Sequence, residues 1–319
     1  MSAEVGYDVI GDVHGHVEQL EALLRQMGYT ESRNGWTHSK RTAVFVGDVI
    51  DRHRDHQLDT LRVVRKMVDA GAAKIVLGNH EFNAVAYSTV DPNRWDYCRP
   101  HSTKNYKQHR EFLEELGFDT PLHRSMIDWF RQIPLWLDLD GLRVVHACWS
   151  DADIAHLETV LDPGPDGYTL NDQVVIDGTT RDHPTYKAIE NVLKGPEADM
   201  NGHWYFDKGG VRRSRARVAW WRGTATMLRD GVVIPDGTQL HNADGEPIAQ
   251  LPANDLPSDI PRYTDPVPVI FGHYWRNGEL RLEGQTTACV DYSAGKGGPL
   301  VAYQWDGEPK LSVDKLVSC

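Results

Sequence analysis

Three short segments of the sequence place carboxylate, imidazole or amide side chains directly after an apolar run. They read VIGDVHGH at residues 9–16, VGDVIDR at residues 46–52 and LGNHE at residues 77–81. A short apolar run of this kind is typical of a buried strand, and the glycine near its end allows the backbone to turn sharply without a Cβ clash. Three strand ends that deliver aspartate, histidine and asparagine to one edge of a sheet predict a metal site there.

The elements around these segments indicate how the polar side chains come together. Apolar runs predict strands at Tyr7 to Ile10, Thr42 to Val46 and Lys74 to Leu77, and apolar residues at three- and four-residue spacing predict helices over 19–27 and 58–71. Strands that alternate with helices indicate βαβ units and a parallel sheet. In such a sheet, ligands bind at the carboxyl ends of the strands, which is where the three segments lie.

Two later apolar runs also end on a histidine. Residues 142–147 predict a strand that reaches His146, and residues 267–271 predict a strand that runs into His273. The other predicted elements are strands at 286–291 and 299–305, joined by a glycine-rich hairpin turn at 295–298, and helices at 106–116 and 126–133.

The polar residues at these five strand ends form a consistent set of metal donors. All of them offer oxygen or imidazole nitrogen and none offers a thiolate, which suits Mn, Fe, Zn or Mg better than a soft metal. A lone carboxylate between two groups of donors could bridge two ions, and two ions about 3.5–4 Å apart form a clamp for in-line displacement at phosphorus. The set is Asp12, His14, Asp48, Asn79, His146 and His273.

In this order, the motifs Gly-Asp-Val-His-Gly, Gly-Asp-Val-Ile-Asp-Arg, Gly-Asn-His-Glu, a strand-end histidine and Gly-His resemble those of the calcineurin-like metallophosphoesterases. The nearest branch contains the phosphoprotein phosphatases, with the Ser/Thr protein phosphatases and the symmetrical diadenosine-tetraphosphate hydrolases. The resemblance covers residues 5–90, 142–150 and 267–305. It implies an α/β fold in which two sheets pack on each other with helices outside and the active-site loops lie on one rim.

The resemblance also implies a role for each motif residue. One divalent ion would be held by Asp12, His14 and Asp48, and the other by Asp48, Asn79, His146 and His273. His80 would be the general acid for the leaving oxygen, Asp51 would orient its imidazole, and Arg52 would grip the phosphate. Mn is the metal we expect first, with Fe, Zn and Mg as alternatives. Direct attack by a water that bridges the two metals predicts a reaction without a phosphoenzyme.

Two residues depart from the family pattern. Trp275 stands where other branches have the second histidine of a Gly-His-x-His motif, which agrees with the phosphoprotein-phosphatase branch. His53 stands where a glycine usually follows Asp-Arg. Because a residue with a Cβ cannot take a positive φ cheaply, either the loop differs here or His53 occupies space near the phosphate.

Residues 151–266 interrupt the resemblance and are predicted to be a cap inserted into a single domain that spans residues 1–319. Within this segment, Arg213, Arg215 and Arg217 alternate as one face of a strand would. Two interpretations are open: a solvated face paired with acidic residues, or contacts from Arg213 and Arg217 to a second phosphate. The pair Trp220-Trp221 is predicted to form the core of the cap, with stacking on a nucleobase as the alternative.

Three functions are compatible with these motifs. The first is a phosphomonoesterase that acts on a phosphoprotein or on a small phosphate ester. The second is a dinucleoside-polyphosphate hydrolase, in which arginines of the cap hold the additional phosphates. The third is a metal-bound scaffold without turnover, which the complete ligand set and the Asp51–His80 pair disfavour.

Composition limits the classes of partner. A net charge of −12 argues against stable binding to nucleic acid through phosphate contacts. No run approaches the roughly 20 apolar residues needed to cross a membrane. Residues 1–4 lack the basic and apolar character of a signal peptide, and four scattered cysteines suggest neither a disulfide framework nor a zinc ribbon. We therefore expect a cytoplasmic protein with a phosphorylated small molecule, nucleotide or phosphoprotein as its substrate; the oligomeric state is left open.

Overall fold

The computed structural model describes residues 6–33, 35–207, 210–235 and 237–319. Residues 1–4, on which the expected absence of a signal peptide was based, lie outside the described residues. None of the helices in the described ranges combines the length and the apolar composition needed to cross a bilayer.

Short strands and helices are interspersed up to Lys194, and strands predominate after that residue. The strands are β1 (Gly6–Ile10), β2 (Thr30–Ser32), β3 (Gly35–Thr37), β4 (Arg41–Phe45), β5 (Ala73–Ile75), β6 (Val90–Asp91), β7 (Asp96–Tyr97), β8 (Trp136–Leu139), β9 (Leu142–Val145), β10 (Asp162–Gly164), β11 (Gly167–Thr169), β12 (Glu197–Asp199), β13 (Trp204–Phe206), β14 (Arg212–Arg213), β15 (Arg215–Val218), β16 (Val232–Val233), β17 (Leu240–His241), β18 (Pro247–Ile248), β19 (Val269–Phe271), β20 (Thr287–Cys289), β21 (Val301–Trp305) and β22 (Leu316–Ser318). The helices are α1 (Val17–Gln26), α2 (Gln57–Asp69), α3 (Asn79–Ser88), α4 (Thr103–Gln108), α5 (Arg110–Leu116), α6 (Pro121–Arg131), α7 (Asp151–Glu158), α8 (Asp172–Thr179), α9 (Pro184–Lys194) and α10 (Leu228–Gly231).

The first large sheet contains the strands that precede the three N-terminal motifs. Its order is β22-β21-β1-β4-β5, with β1 parallel to β4 and β4 parallel to β5. Helix α1 connects β1 to the next strands and α2 connects β4 to β5, as the alternation of patterns predicted. The three motifs therefore leave the same edge of one sheet, at the carboxyl ends of adjacent parallel strands.

The second large sheet positions the two C-terminal histidines. Its order is β20-β19-β9-β8, and β19 is parallel to both β9 and β20. His146 follows β9 directly, and His273 follows β19 after one glycine. Because β9 and β19 are neighbours that run in the same direction, their carboxyl ends bring the two histidines to one place.

The two sheets pack face to face, as predicted for the α/β sandwich. One buried cluster joins Val9 and Val44 of the first sheet to Val144 and Ile270 of the second. The opposite faces are covered by helices in a larger cluster that includes Leu20 of α1 and residues of α2, α3 and α6. The predicted fold class is confirmed.

The hairpin predicted around residues 295–298 is wrong. Strands β20 and β21 belong to different sheets, so the chain crosses from one sheet to the other between them. The crossing contains a 3-10 helix at Ala294–Lys296 and a left-handed turn at Gly297, whose φ is 84°. A glycine-rich stretch between two apolar runs has the same local signature whether the flanking strands pair or separate, and only the packing decides between them.

The arginine run, whose alternation is that of one face of a strand, does not form one continuous strand. The run divides at Ser214 into β14, which pairs with β13, and β15, which pairs with β12 and β16. The two halves therefore belong to two different small sheets.

Residues 151–266 are attached to the main core at one end and form a separate cluster at the other. Leu157 and Ile189 of helices α7 and α9 are buried in the same cluster as the first sheet's helices. Residues between Ala198 and Leu256 form their own small cluster. Trp220 and Trp221 lie in the main core, and the Trp220 indole N–H donates to the carbonyl of Ala147 at 2.8 Å. That this segment covers a substrate as a cap stays a prediction.

Candidate metal centre

The loops that carry the predicted donors have strained backbone. His14, Asp48 and His273 have φ angles of 48°, 49° and 70°, in the left-handed region that non-glycine residues avoid. Each such residue costs about 1–3 kcal/mol, and residues of this kind cluster at functional sites. The loops also pass close to one another, since a Cβ on Gly47 would lie 2.4 Å from the backbone nitrogen of Gly78. Glycine at these two positions permits the close approach.

Asp48 lies at the centre of the donor set. Its Oδ2 atom is 3.5 Å from Nε2 of His146 and 3.8 Å from Nε2 of His14. Donor atoms of Asp48, His146 and His273 all lie within 4.8 Å of one another, and so do those of Asp48, His14 and His80. One carboxylate thus belongs to two donor groups, which is the arrangement that a bridging ligand requires.

The imidazole tautomers suit metal binding. Nδ1 of His14 is 2.9 Å from the carbonyl oxygen of Ile50, and Nδ1 of His146 is 2.7 Å from that of Val46. Because a carbonyl only accepts, each Nδ1 carries the proton and leaves an Nε2 lone pair directed toward Asp48. A backbone carbonyl on the second nitrogen is a typical partner of metal-bound histidine. Nδ1 of His273 is buried and has no hydrogen-bond partner among the described residues. The donor set fits divalent ions.

Asp12 and Asn79 complete the set of six. Asp12 is 1% exposed, and its carboxylate accepts a hydrogen bond from the backbone N–H of His273, 3.2 Å from Oδ2. Oδ1 of Asn79 is 3.1 Å from Nε2 of His146. The structure therefore brings the six residues together from both sheets.

Burial and the charges of neighbouring side chains shift the pKa values of this cluster. Burial, reinforced by the carboxylates of Asp291 and Asp48, raises the pKa of Asp12 well above its ordinary value. Burial also lowers the pKa of His14 to about 4. Burial alone would raise the pKa of Asp48, but the neighbouring imidazoles, that of His146 foremost, outweigh it and hold the pKa below its ordinary value. A cluster that buries several acids and neutral imidazoles gains from a bound cation.

His80 and Asp51 form a pair beside the six donors. His80 lies in the first turn of α3, and its Nδ1 is 2.6 Å from Oδ2 of Asp51. Burial would lower the pKa of His80, but Asp48 and Asp51 raise it above its ordinary value. The guanidinium of Arg52 lies 3.4 Å from Nε2 of His80. The Asp51 carboxylate therefore fixes the proton on Nδ1 and leaves Nε2 facing Arg52.

The ring of Trp275 lies against two cationic side chains, one of which is Arg52. Its guanidinium carbon is 5.6 Å from the ring centre of Trp275, and Nζ of Lys296 is 3.1 Å from the same ring centre. These residues and His14 line a cavity of only about 10 Å³, which is close to the space for a single water. The Trp275 ring therefore contacts two cations beside the donor set.

His53, which replaces the usual glycine, does not itself have a positive φ angle. The positive φ angles fall on Asp51, at 67°, and Arg52, at 72°. The His53 ring packs against His16 with ring centres 4.2 Å apart. Gly15 makes room for it, because a Cβ there would meet the Cβ of His53 at 3.2 Å. The loop thus differs from the family pattern without placing His53 in a left-handed conformation.

Two buried acids shape the site and were not singled out from the sequence. Glu81, in the third motif, accepts hydrogen bonds from backbone N–H groups of the second motif, and its burial raises its pKa to about 7. Asp291 accepts hydrogen bonds from the N–H groups of Trp275 at 2.8 Å and Ser293 at 2.9 Å, and burial raises its pKa to about 6. The signal for Glu81 was its place in the motif, and that for Asp291 was its place at the end of a predicted strand.

The two arginines predicted to contact substrate line different cavities. Arg213 lines a groove of about 670 Å³ that also contains Trp275, Arg281 and Lys296. Arg217 lines a separate cavity of about 1030 Å³. Both arginines also have acidic partners, since Arg213 is 2.6 Å from Asp207 and Arg217 is 3.6 Å from Glu197.

Comparison with known proteins identifies the family of the chain. Residues 7–212 match the model of the calcineurin-like phosphoesterase family. The chain belongs to this family. Relatives of this calcineurin-like phosphoesterase include a symmetrical bis(5'-nucleosyl)-tetraphosphatase of Vibrio cholerae, 29% identical over 95% of this chain and 96% of the relative. One from Ralstonia nicotianae is 26% identical over 90% of this chain and 87% of the relative.

A solved structure that resembles this calcineurin-like phosphoesterase is that of a cold-active protein-tyrosine phosphatase from a psychrophilic Shewanella species. It is 14% identical, with a TM-score of 0.48, and the match covers 98% of this chain and 80% of that chain. The family membership identifies the protein as a metal-dependent hydrolase of phosphate esters, and the family uses a dinuclear metal centre.

Proposed function

We propose that this calcineurin-like phosphoesterase hydrolyses phosphomonoesters at a centre of two divalent ions. The observation that carries the proposal is the position of Asp48, whose Oδ2 atom lies within 4 Å of imidazole nitrogens from both sheets, those of His14 and His146. Asp12 and His14 would hold one ion, and Asn79, His146 and His273 would hold the other. Asp48 would bridge them.

We propose Mn as the metal, with Fe, Zn and Mg as alternatives, because oxygen and imidazole nitrogen donors suit these ions better than a soft metal. When bound, two such ions supply charge neutralisation for the phosphoryl oxygens and activation of water. The protein supplies the remaining chemistry through Arg52 and through the pair of Asp51 and His80.

His80 would donate the proton to the leaving oxygen. Its Nδ1 proton is committed to Asp51 at 2.6 Å, so Nε2 is the nitrogen that can exchange a proton with a ligand. The neighbouring carboxylates favour the protonated imidazole, which a general acid requires. Arg52 lies beside Nε2 and can place its planar guanidinium on two phosphoryl oxygens. A phosphate seated against Arg52 would therefore present its leaving oxygen to His80.

A second candidate is hydrolysis of dinucleoside tetraphosphates. It is supported by the names of the relatives that match nearly the whole chain, and by the groove that continues from Trp275 and Lys296 to Arg213 and Arg281. A groove of about 670 Å³ is within the range of small-molecule sites. In this candidate, the cationic side chains of the groove would bind the phosphate groups beyond the one that reacts, and the groove would also contain the attached nucleoside.

The experiment compares p-nitrophenyl phosphate with diadenosine tetraphosphate, both with Mn and with purified protein of measured metal content. We expect hydrolysis of the monoester at a rate that depends on added metal. A kcat/KM at least about 100-fold higher for the tetraphosphate would favour the second candidate. Absence of hydrolysis of any phosphate ester by fully loaded protein would refute both and favour a scaffold.

We also propose a cytoplasmic location. The four cysteines, all within the described residues, are unpaired, and three of them are buried. Unpaired cysteines are typical of a reducing compartment.

A further inference from the structure

A second histidine contacts the carboxylate that orients His80. Nδ1 of His109 is 3.1 Å from Oδ1 and 3.2 Å from Oδ2 of Asp51, and His109 is 1% exposed. His109 lies outside the five motifs, so no pattern in the sequence distinguishes it from the other histidines. We propose that His109 is a positioning residue, which holds the Asp51 carboxylate in the orientation that His80 needs to act as a general acid.

The direction of this hydrogen bond follows from the chemistry of the two groups. An ionised carboxylate only accepts, so Nδ1 of His109 carries a proton and donates it. Burial would raise the pKa of Asp51, but the contacts with His109 and His80 outweigh burial and hold the carboxyl ionised, with its pKa below the ordinary value. Nε2 of His109 is buried and has no hydrogen-bond partner among the described residues. The imidazole of His109 is therefore buried with a hydrogen bond at Nδ1 alone, and this hydrogen bond is donated to Asp51.

The surrounding residues fix the ring of His109. It lies at the junction between α4 and α5, and its ring stacks on Phe112 with centres 4.8 Å apart. The edge of Tyr87 contacts it with ring centres 5.8 Å apart. A ring held on two sides has little rotational freedom, so its N–H is pre-organised toward Asp51.

Asp51 is held from the other side by its own loop. Its backbone N–H donates to the side-chain oxygen of Gln57 at 2.6 Å, and Gln57 in turn donates to the carbonyl of His53 at 2.6 Å. These bonds fix the backbone of Asp51 but not the rotation of its carboxylate. The contacts from His109 and His80 fix that rotation, and only His109 does so without taking part in proton transfer.

This inference rests on the proposed role of His80 as general acid. Removing the donor of His109 would loosen the Asp51 carboxylate and misalign the imidazole that it holds. The consequence is confined to the step that protonates the leaving oxygen. A p-nitrophenolate ion leaves readily without being protonated. Phenolate, the leaving group of phenyl phosphate, is more basic, so its departure depends more strongly on a proton donor. The loss should therefore depend on the leaving group.

The test compares His109→Phe with His109→Asn on both substrates. Phenylalanine keeps the stacked ring but removes the donor, and the amide N–H of asparagine can replace Nδ1. We expect His109→Phe to lower kcat by about 10-fold or more with phenyl phosphate, a part of the effect of a general acid, and by less than about threefold with p-nitrophenyl phosphate. KM and metal content should not change, and His109→Asn should recover most of the loss.

Two further variants make the outcome decisive. His123→Phe replaces another buried histidine near the same helices, whose ring centre lies 5.5 Å from that of Phe112, and it should leave both rates unchanged.

In a His80→Ala background, His109→Phe should have no further effect on the rate with phenyl phosphate. Equal losses on both substrates, or additive losses with His80→Ala, would overturn the positioning role even if a variant is less stable. If His80→Ala itself shows no dependence on the leaving group, the proposed general acid is wrong, and that result is separate from any effect of His109.

Discussion

Oε2 of Glu81 lies 2.9 Å from the backbone nitrogen of Asp48, so a carboxylate of the third motif holds the loop of the second. The same side chain accepts hydrogen bonds from the N–H groups of Val49 at 2.9 Å and Gly78 at 3.1 Å. The N–H of Ile50 makes a fourth, longer contact at 3.4 Å, so four backbone N–H groups depend on one buried carboxylate. The strained conformation of Asp48 is stabilised by this arrangement.

Glu81→Ala should destabilise the protein before it affects any chemistry. It leaves several buried N–H groups without an acceptor, and each such group costs about 1–3 kcal/mol. We expect a loss of at least about 2 kcal/mol in the free energy of unfolding, measured by urea titration in EDTA so that bound metal does not contribute. Glu81→Gln keeps one acceptor oxygen and should lose less. Equal losses for the two variants would show that packing, not hydrogen bonding, is the reason.

Asp48→Asn should remove both ions. The amide is neutral and has one carbonyl oxygen in place of the two charged oxygens of the carboxylate, on which imidazoles from both sheets converge. Elemental analysis after gel filtration should give two ions per chain for the unmodified protein and well below one for the variant. Asp51→Asn is the matched control, because Asp51 is a buried carboxylate of the same loop that contacts imidazoles but lies outside the proposed ligand set. It should keep two ions and lose activity, and two ions retained in Asp48→Asn would refute the bridge.

His80→Ala distinguishes a general acid from a ligand. His80, His14 and Asp48 have donor atoms within 4.8 Å of one another, so the geometry alone allows metal binding by His80. Its contact with Asp51 favours proton transfer instead. We expect the variant to keep two ions and to lose about 100-fold or more in kcat with phenyl phosphate, within the range for removal of a general acid. Loss of one ion in the same measurement would identify His80 as a ligand.

Local patterns in the sequence accounted for the centre of the fold but not for its periphery. Asp12, Asp48 and Asn79 could be placed together because glycines and apolar runs mark the ends of parallel strands, a relation that holds for any sheet of this type. His109 could not be placed, because its contact with Asp51 spans 58 positions and depends on how α4 and α5 pack. The division of the arginine run at Ser214 was equally hidden, since both halves have the alternation of a strand and only their partners differ.

Arg213→Ala should affect a dinucleoside tetraphosphate more than a monoester. Arg213 lines the groove that begins at Trp275, so only a substrate longer than one phosphate group reaches it. Because the side chain is exposed and screened, we expect KM for diadenosine tetraphosphate to rise only about two- to fivefold, in keeping with an exposed charge contact, while that for p-nitrophenyl phosphate stays unchanged. Arg229→Ala, which removes an exposed arginine paired with Asp230, is the control. Equal changes for both arginines would exclude a specific role of the groove.

His123 should make the protein less stable in mild acid. It is 1% exposed, and both of its ring nitrogens lack hydrogen-bond partners among the described residues. Burial, with a smaller contribution from His109, lowers its pKa from 6.5 to about 4. As the pH falls below 6.5, the unfolded chain binds a proton at this position that the folded chain does not bind until the pH is near 4, so the free energy of unfolding decreases across this interval.

His123→Phe removes this difference in proton binding. The loss of stability between pH 7.5 and pH 5.5, measured by urea unfolding in EDTA, should therefore be smaller in the variant than in the unmodified protein. The other titrating groups are common to both proteins and cancel in the comparison. The phenyl ring keeps the contacts with Phe112 and Phe118, whose ring centres lie 5.5 Å and 5.3 Å from that of His123. An identical loss in the two proteins would mean that His123 can take up a proton without leaving its place in the core.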